Sequence, residues 1–252
     1  QQALSGIHLG MLILARDAAD NNTDSLQEVW ADPEKLKQAV GVMGFENSRI
    51  DLSIEDELGK LQLNSLIKEY PGSEFNVDQQ KVLERYLSLT VKQADEDDKI
   101  DIEPVELVNA LKDWLDSNDD DAITGLSGAE NDYYEDLDYP YPCAKGPLNQ
   151  VSELFNVKGF VKQIFSENPG QILTVYGMND NKNDLGRYTF SGKININTAP
   201  LEVLTALLPE GRDHLAQDLA DYRLERESED EAFSNSLEKG WFERVIELSE
   251  DE

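Results

Sequence analysis

The first twenty residues place apolar side chains with the period of a helix. Apolar residues recur at spacings of three and four, which sets them along one stripe. No capping signal precedes the stripe, as expected for a helix whose earlier part has been cut away. The segment therefore predicts an amphipathic N-terminal helix with the stripe Leu4, Ile7, Met11, Leu14 and Ala18.

The next patterned segment has the period of a strand. Ile50, Leu52 and Ile54 alternate with polar residues, and Leu61 and Leu63 alternate again after a Glu-Leu-Gly sequence. Two alternating runs on either side of a turn signal predict a β-hairpin.

A helical period returns at about Phe75 and holds to about Phe165. It predicts one helix there and a second that Pro104 opens, since proline is tolerated in the first helical turn. Their apolar faces are Val82, Tyr86 and Val91 for the first helix and Val108, Leu111 and Leu115 for the second.

Strand character follows in QILTVYG and RYTFSGKININ, and helical patterns then continue to Leu224, before an acidic segment and a final WFERVIEL. The order of helix, hairpin, helical block, strands and helices predicts an α+β fold that carries a helical insertion.

The stretch KININTAPLEVLTALLPEG, residues 193–211, is similar to helix-hairpin-helix modules that hold DNA phosphates. Asn197 or Thr198 is expected to cap the first helix, and a second helix with Leu215, Leu219 and Tyr222 is expected to pack on it. At the turn, however, Pro209 removes a backbone amide and Glu210 puts a carboxylate where a phosphate would bind. The motif therefore predicts packing and not nucleic-acid binding.

The charge of the chain supports the same exclusion. Its 252 residues include 52 acidic and 22 basic side chains, giving a net charge of −30, which repels nucleic acids and anionic membranes and favours cations as small partners. No stretch reaches the roughly 20 apolar residues of a membrane span. Cys143 is the single cysteine, so an intramolecular disulfide is excluded and the thiol is expected to pack as a small hydrophobe.

The segment from Asp113 to Pro142 is the richest in candidate ligands. Asp116, Asn118 and Asp120 stand at alternate positions, so a tight turn would direct their oxygens inward, as Ca²⁺ requires. Further oxygens are available from Asp119, Asp121, Glu130, Asp132 and carbonyls near Thr124.

The spacing does not match an EF-hand, because Asp121 stands where that loop needs glycine and Ser127 where it needs glutamate. Magnesium fits less well than calcium because it keeps its waters. A solvated acidic loop is the alternative, although the tyrosines and Trp114 within the segment favour packing, and few basic residues lie nearby to neutralise it.

Several motifs then resemble, in their order, the K-class minor pseudopilin of bacterial type II secretion systems (general secretion pathway protein K). They are DSLQEVWA, LVNALKDWLDSNDDD, GAENDYY, GPLNQVSEL and KININTAPLEVL. The resemblance covers the chain from about Leu4 to Tyr222.

The resemblance implies a pilin-like domain, with the N-terminal helix packed on a small antiparallel sheet, and a large all-helical inserted domain containing the helix-hairpin-helix-like element. The expected parts are residues 1–72 with helix and hairpin, 73–224 as the insertion, and 225–252 returning to the sheet. WFERVIEL would supply the last strand, or the sheet would be shorter.

The implied role is at the tip of a periplasmic pseudopilus, where family members assemble with the I- and J-class minor pseudopilins and help to initiate it. The resemblance also implies a membrane-spanning helix before Gln1, cleaved and methylated by a prepilin peptidase, which anchors the protein in the inner membrane before assembly. No catalytic residue is expected.

The K class also binds calcium in its helical domain. Carried onto this sequence, that property points to the ligands Asp116, Asn118, Asp120, Asp121, Thr124, Glu130 and Asp132. The acids here lack the proline and glycine that the family often has beside them.

Two other functions stay open. One is a calcium-stabilised binding protein of the cell envelope without a pilus role. The other is an enzyme with a glycosidase-like pair of carboxylates, which only a raised pKa in a cleft would indicate among so many acids.

Overall fold

The computed structural model of the chain describes residues 2–42, 44, 50–98, 102–119, 128–165, 168–179, 185–228 and 231–247, with the backbone alone for 93–98. The α-helices are α1 Gln2–Asp20, α2 Pro33–Val42, α3 Val77–Asp98, α4 Pro104–Leu115, α5 Asn131–Glu135, α6 Leu201–Leu207 and α7 His214–Leu224. The strands are β1 Leu61–Gln62, β2 Leu173–Thr174, β3 Met178–Asn179 and β4 Thr189–Phe190. This mixture is consistent with the predicted α+β class.

The two predicted helices of the central block are confirmed as α3 and α4. Leu107, Val108, Leu111 and Leu115 of α4 are almost fully buried, and the α3 face with Tyr86 and Leu87 lies in the same core. α3 also packs against α6. One cluster of buried side chains extends from Leu61 to Ile246, so the division into a pilin-like body and an inserted domain stays a prediction.

The predicted hairpin over residues 50–63 is wrong. Leu61 of β1 pairs in parallel with Leu173 of β2, which lies far along the chain, and β3 pairs antiparallel with β4 in a separate two-stranded sheet. The alternation was misleading because the segment from Gly59 to Ile67 is buried continuously and not on one face. Within the described ranges, the small sheet expected under the N-terminal helix is replaced by these two short pairs.

The apolar stripe of α1 does not cover a sheet in the part of the chain that the structure describes. Leu4, Ile7, Met11 and Leu14 are between 41% and 61% exposed. The buried residues of α1 are glycines: a Cβ added at Gly6 would lie 3.2 Å from Ile50 Cγ2. The helix therefore packs through its small residues on the extended segment 50–54, and the expectation that its stripe covers a sheet is wrong for the described residues, whereas the expectation that the stripe also packs with partner helices stays a prediction.

The KININTAP segment joins distant parts of the chain. Asn195 N donates to Leu58 O at 2.8 Å, and Thr198 Oγ1 donates to Asp56 Oδ2 at 2.7 Å. A Cβ at Gly59 would lie 2.8 Å from Thr198 Oγ1, so the two segments are in close contact.

The C-terminal part of the chain is attached to the same segment. Trp241 Nε1 donates to Asn197 Oδ1 at 2.7 Å. The buried guanidinium of Arg223 donates to the carbonyls of residues 196 and 199 at 2.7 and 3.0 Å. The packing role predicted for this motif agrees with these contacts.

Two local predictions about these segments are wrong, and of the two alternatives for WFERVIEL the last strand is absent from the described residues. The first residue flanking α6 is Pro200, which makes no side-chain capping bond, so neither Asn197 nor Thr198 caps that helix. KININ belongs to no strand, and Trp241–Arg244 is a 3-10 helix, so neither segment adds a strand within the described residues. No helix among those residues is long and apolar enough to cross a membrane.

Candidate metal site at the end of helix α4

Two carboxylates lie on one face of α4, near its C-terminal end. Asp113 and Asp116 are three residues apart, so their side chains project from neighbouring positions on the helix surface. Both are 0% exposed. Because apolar residues of the core surround the rest of α4, the amphipathic pattern that forms this helix also buries the two acids.

Glu130, just before α5, completes a group that we call the acid cluster: Asp113, Asp116 and Glu130. One oxygen atom from each of the three carboxylates lies within 4.8 Å of the other two. Ligand oxygens at this spacing, with no nitrogen or sulfur among them, suit a hard cation such as Ca²⁺.

The hydrogen bonds of Asp113 leave one of its oxygens available. Oδ2 accepts a hydrogen bond from Ala129 N at 2.9 Å. Oδ1 is buried and accepts no hydrogen bond from the described residues, and the Lys112 ammonium is 3.9 Å away. Since buried polar atoms are almost always satisfied, this oxygen fits the role of a cation ligand.

In Asp116, unlike Asp113, both carboxylate oxygens have a close partner. Its Oδ1 accepts a hydrogen bond from Asn118 N at 3.2 Å, and its Oδ2 forms an ion pair with Lys112. Lys112 is on α4, and its side chain is 7% exposed.

Burial raises the pKa of all three carboxyl groups of the acid cluster. For Asp113 the hydrogen bond from Ala129 opposes the increase, for Asp116 the ion pair with Lys112 does so, and for Glu130 the contact with Lys145 does so. A raised pKa means that the surroundings do not fully compensate the three negative charges. A bound divalent cation would supply that compensation.

Lys145 provides the second positive charge. Its ammonium forms ion pairs with Glu130 and, at 2.7 Å, with Asp119 Oδ1. Burial alone would lower the pKa of Lys145, and the two acidic partners outweigh it, so the net shift is upward. The sequence-based expectation of little nearby countercharge is therefore wrong, because Lys112 and Lys145 both reach the acids.

Aromatic side chains pack together beside the C-terminal end of α4, which carries two acids of the cluster. Tyr134 is fully buried, and its ring lies 5.0 Å from that of Trp114 and 5.5 Å from that of Tyr141. Cys143 N donates to Asn131 Oδ1 at 3.0 Å, and its thiol is buried against the carbonyl of Asp113. The predicted packing of this segment is confirmed for these residues, whereas Tyr139 is exposed.

The predicted ligands divide into three groups. Asp116 and Glu130 belong to the acid cluster, and Asn118 is adjacent through its backbone. Asp132 lies exposed in the first turn of α5, outside the cluster. Asp120, Asp121 and Thr124 lie outside the described residues.

Sequence reasoning missed Asp113, although a signal was present. In LKDWLDS the spacing of three between Asp113 and Asp116 is that of a helix, whereas the alternate spacing that predicts Asp116, Asn118 and Asp120 as ligands is that of a loop. A test for acids on the buried face of the predicted helix would have found it.

A second acidic group, Asp17, Asp24 and Glu28, lies near the end of α1. Glu28 accepts hydrogen bonds from Ser25 N at 2.9 Å and from Trp30 Nε1 at 2.8 Å. These bonds fix the turn between α1 and Val29–Ala31, so the group has a structural explanation.

Comparisons with known proteins give consistent results. A family model described as type II secretion system (T2SS), protein K, matches residues 59–167, which include α3, α4 and the acid cluster. The type II secretion system protein K of Aeromonas hydrophila is 26% identical over 168 residues, which are 65% of this chain and 47% of that protein. The chain thus spans about half the length of this curated relative.

A solved structure is also similar. A chain of the GspK-GspI-GspJ complex from the enterotoxigenic Escherichia coli type 2 secretion system matches with a TM-score of 0.53 and 18% identity, over 86% of this chain and 69% of that one. At this identity the likeness supports the fold. The matched family segment and the curated relative show that residues 59–167 and the wider aligned part of the chain are similar to protein K of type II secretion systems.

Proposed function

We propose that this protein is a minor pseudopilin that joins the I- and J-class minor pseudopilins at the tip of the type II secretion pseudopilus, in the periplasm. The similarity to protein K of type II secretion systems supports the role in secretion, and the similar solved chain belongs to a complex with GspI and GspJ. This role requires surfaces that match those of the partner subunits, and it requires no catalytic reaction. Asp113 and Asp116 have raised pKa values, but both are fully buried in the described structure, so the raised values do not mark a pair of carboxylates in an open catalytic cleft.

The observation that carries the proposal is the exposed apolar face of α1. One side of α1 lies against residues 50–54 through Gly6 and Gly10, while its large apolar side chains point outward. Helices associate through such a seam when a partner offers a matching one. The exposed side chains are Leu4, Ile7, Met11, Leu12 and Leu14.

The helical region around α3 and α4 would form the head that ends the pseudopilus. We propose that Ca²⁺ holds its loop through Asp113, Asp116 and Glu130. Support comes from their oxygen-only set, the free Asp113 oxygen and the incomplete compensation of their charge. Calcium takes six to eight oxygens, so further ligands are needed beyond these three. The ion would supply charge compensation and cross-link α4 to the start of α5.

The proposed interface is tested with substitutions on α1. The chain is mixed with purified periplasmic parts of the I- and J-class partners, and complexes are measured by size-exclusion chromatography with light scattering. We expect Ile7→Asp with Met11→Asp to abolish the complex, because two charges enter the apolar seam. Val42→Asp is the matched control, since Val42 is an apolar helical residue that is 89% exposed. Wild-type-like assembly of the double variant would refute the assignment of this face.

A further inference from the structure

The two lysines at the acid cluster differ in how they are held. Lys112 is on α4, and its side chain is 7% exposed. Lys145 comes from a loop, and its side chain is 23% exposed. The ammonium of Lys112 is therefore enclosed beside Asp116, whereas that of Lys145 has a path to solvent.

Lys145 lies where it competes with a metal ion. Its ammonium contacts the carboxylate of Glu130, which is one of the three acids with oxygens close enough to share a cation. A divalent ion on the same carboxylate would be strongly repelled by the ammonium, because the site is mostly shielded from water. Asp113 Oδ1, buried and without a hydrogen bond from the described residues, shows that the lysines do not satisfy the cluster completely.

The backbone around Lys145 favours movement of the side chain alone. Gly146 N donates to Trp114 O at 3.4 Å, and Cys143 is buried, so the loop is attached to the end of α4 on both sides of the lysine. Lys145 itself has a φ of 52°, a left-handed conformation that is uncommon for a residue other than glycine. A lysine stem is long enough to move its ammonium into water while such a backbone stays in place.

We propose that Lys145 is an internal counterion of the acid cluster that a divalent cation displaces on binding. The inference rests on the calcium site proposed above. In the metal-free protein Lys145 stabilises the buried carboxylates. In the metal-bound protein its ammonium turns to solvent, so it lowers the affinity of the site and sets the calcium concentration at which the head is cross-linked.

The first test is calorimetric titration of the chelator-treated full chain with CaCl₂ at fixed ionic strength. We expect Lys145→Gln to lower the Kd about tenfold, which is the order expected when one close like charge is removed. Lys162→Gln makes the same change of net charge at an exposed position away from the cluster, and it should leave the Kd unchanged. Lys145→Arg keeps the charge and should bind like the wild type.

The second test uses the wild-type chain, so it does not depend on the folding of a variant. Lysines are acetylated briefly with an N-hydroxysuccinimide ester, with and without calcium, and each site is quantified by mass spectrometry. We expect labelling of Lys145 to rise several-fold in calcium and that of Lys162 to stay constant. Equal or reduced labelling of Lys145 in calcium would overturn the displacement.

The outcomes separate this inference from the calcium proposal. If the wild type binds calcium and Lys145→Gln binds equally or more weakly, Lys145 is not a competitor and the calcium site stands. If neither protein binds, both proposals fail. If only Lys145→Gln binds, the counterion role is supported and calcium is removed from the proposed function of the natural chain.

Discussion

Replacing Asp113 by asparagine separates the two roles that this carboxylate has in the acid cluster. The amide oxygen can still accept the hydrogen bond from Ala129 N, which Asp113 Oδ2 accepts at 2.9 Å. The substitution also removes a carboxylate charge that is unfavourable in the metal-free protein, because burial raises the pKa of the Asp113 carboxyl group. We therefore expect the metal-free Asp113→Asn protein to unfold at the same temperature as the wild type or slightly higher.

In calcium the same substitution should be costly. Calcium at 100 times its Kd stabilises the folded protein by about 2.7 kcal/mol, and a 100-fold weaker site at the same concentration leaves about 0.4 kcal/mol. The difference of about 2.3 kcal/mol corresponds to about 5–9 °C in Tm for a domain of this size. The loss should therefore appear only when calcium is present.

The assay is differential scanning calorimetry of wild type, Asp113→Asn and Asp132→Asn, each in EDTA and in calcium. Asp132 is exposed and outside the acid cluster, so its variant should keep the full calcium increment. An equal fall in Tm for Asp113→Asn in both buffers would refute the reasoning, since Asp113 would then be only a structural acceptor. An equal loss in Asp132→Asn would refute the ligand assignment.

Three further predictions concern the packing around the site and the KININTAP segment. Gly59→Ala should lower the unfolding free energy by more than about 2 kcal/mol in urea titrations, because the added Cβ would lie 2.8 Å from Thr198 Oγ1. The control is Gly41→Ala, where the added Cβ enters open space on a helix, and this variant should leave the unfolding free energy unchanged or raise it. Burial raises the pKa of Cys143 to about 11, so a thiol-reactive dye at pH 8 should label it far more slowly in the folded chain than in urea, and equal rates would contradict its burial. Arg223→Met should lower the unfolding free energy by about 2–4 kcal/mol in the same urea titration, because the buried carbonyl of Ala199 and the part-buried carbonyl of Ile196 lose their donor. A loss under about 0.5 kcal/mol would show that water replaces the guanidinium.

The helices of the central block could be predicted because the apolar residues that recur with a helical period are the residues that are buried. α3 and α4 each present one apolar face to a shared core, so spacing in the sequence and packing in the structure agree. The segment around Leu61 could not be predicted in the same way. Its partner is β2, a distant segment, and continuous burial hides the difference between a hairpin and a parallel pair.

The first helix shows a different limit of the pattern. A stripe of large apolar residues usually marks the side of a helix that is buried. In α1 the glycines Gly6 and Gly10 make the close contact, and the stripe is left exposed. Sequence periodicity identifies a face but not whether that face is buried within the chain or kept for a partner.

The acid cluster was predicted only in part for a similar reason. Asp116 is predicted from the alternate spacing of Asp116, Asn118 and Asp120, and Glu130 as a further oxygen ligand in the same segment, whereas Asp113 follows helical spacing. The contact between Lys145 and Glu130 depends on how the loop before Leu148 returns to the end of α4. Such a contact is determined by tertiary packing and is invisible in the local sequence.

The central claim is that this chain assembles with I- and J-class minor pseudopilins, and native mass spectrometry of the three purified periplasmic parts mixed in calcium tests it most directly. We predict a complex with one copy of each chain, which the Ile7→Asp, Met11→Asp variant does not form. Spectra that contain a complex of the two partners and this chain only as a free species would contradict the account.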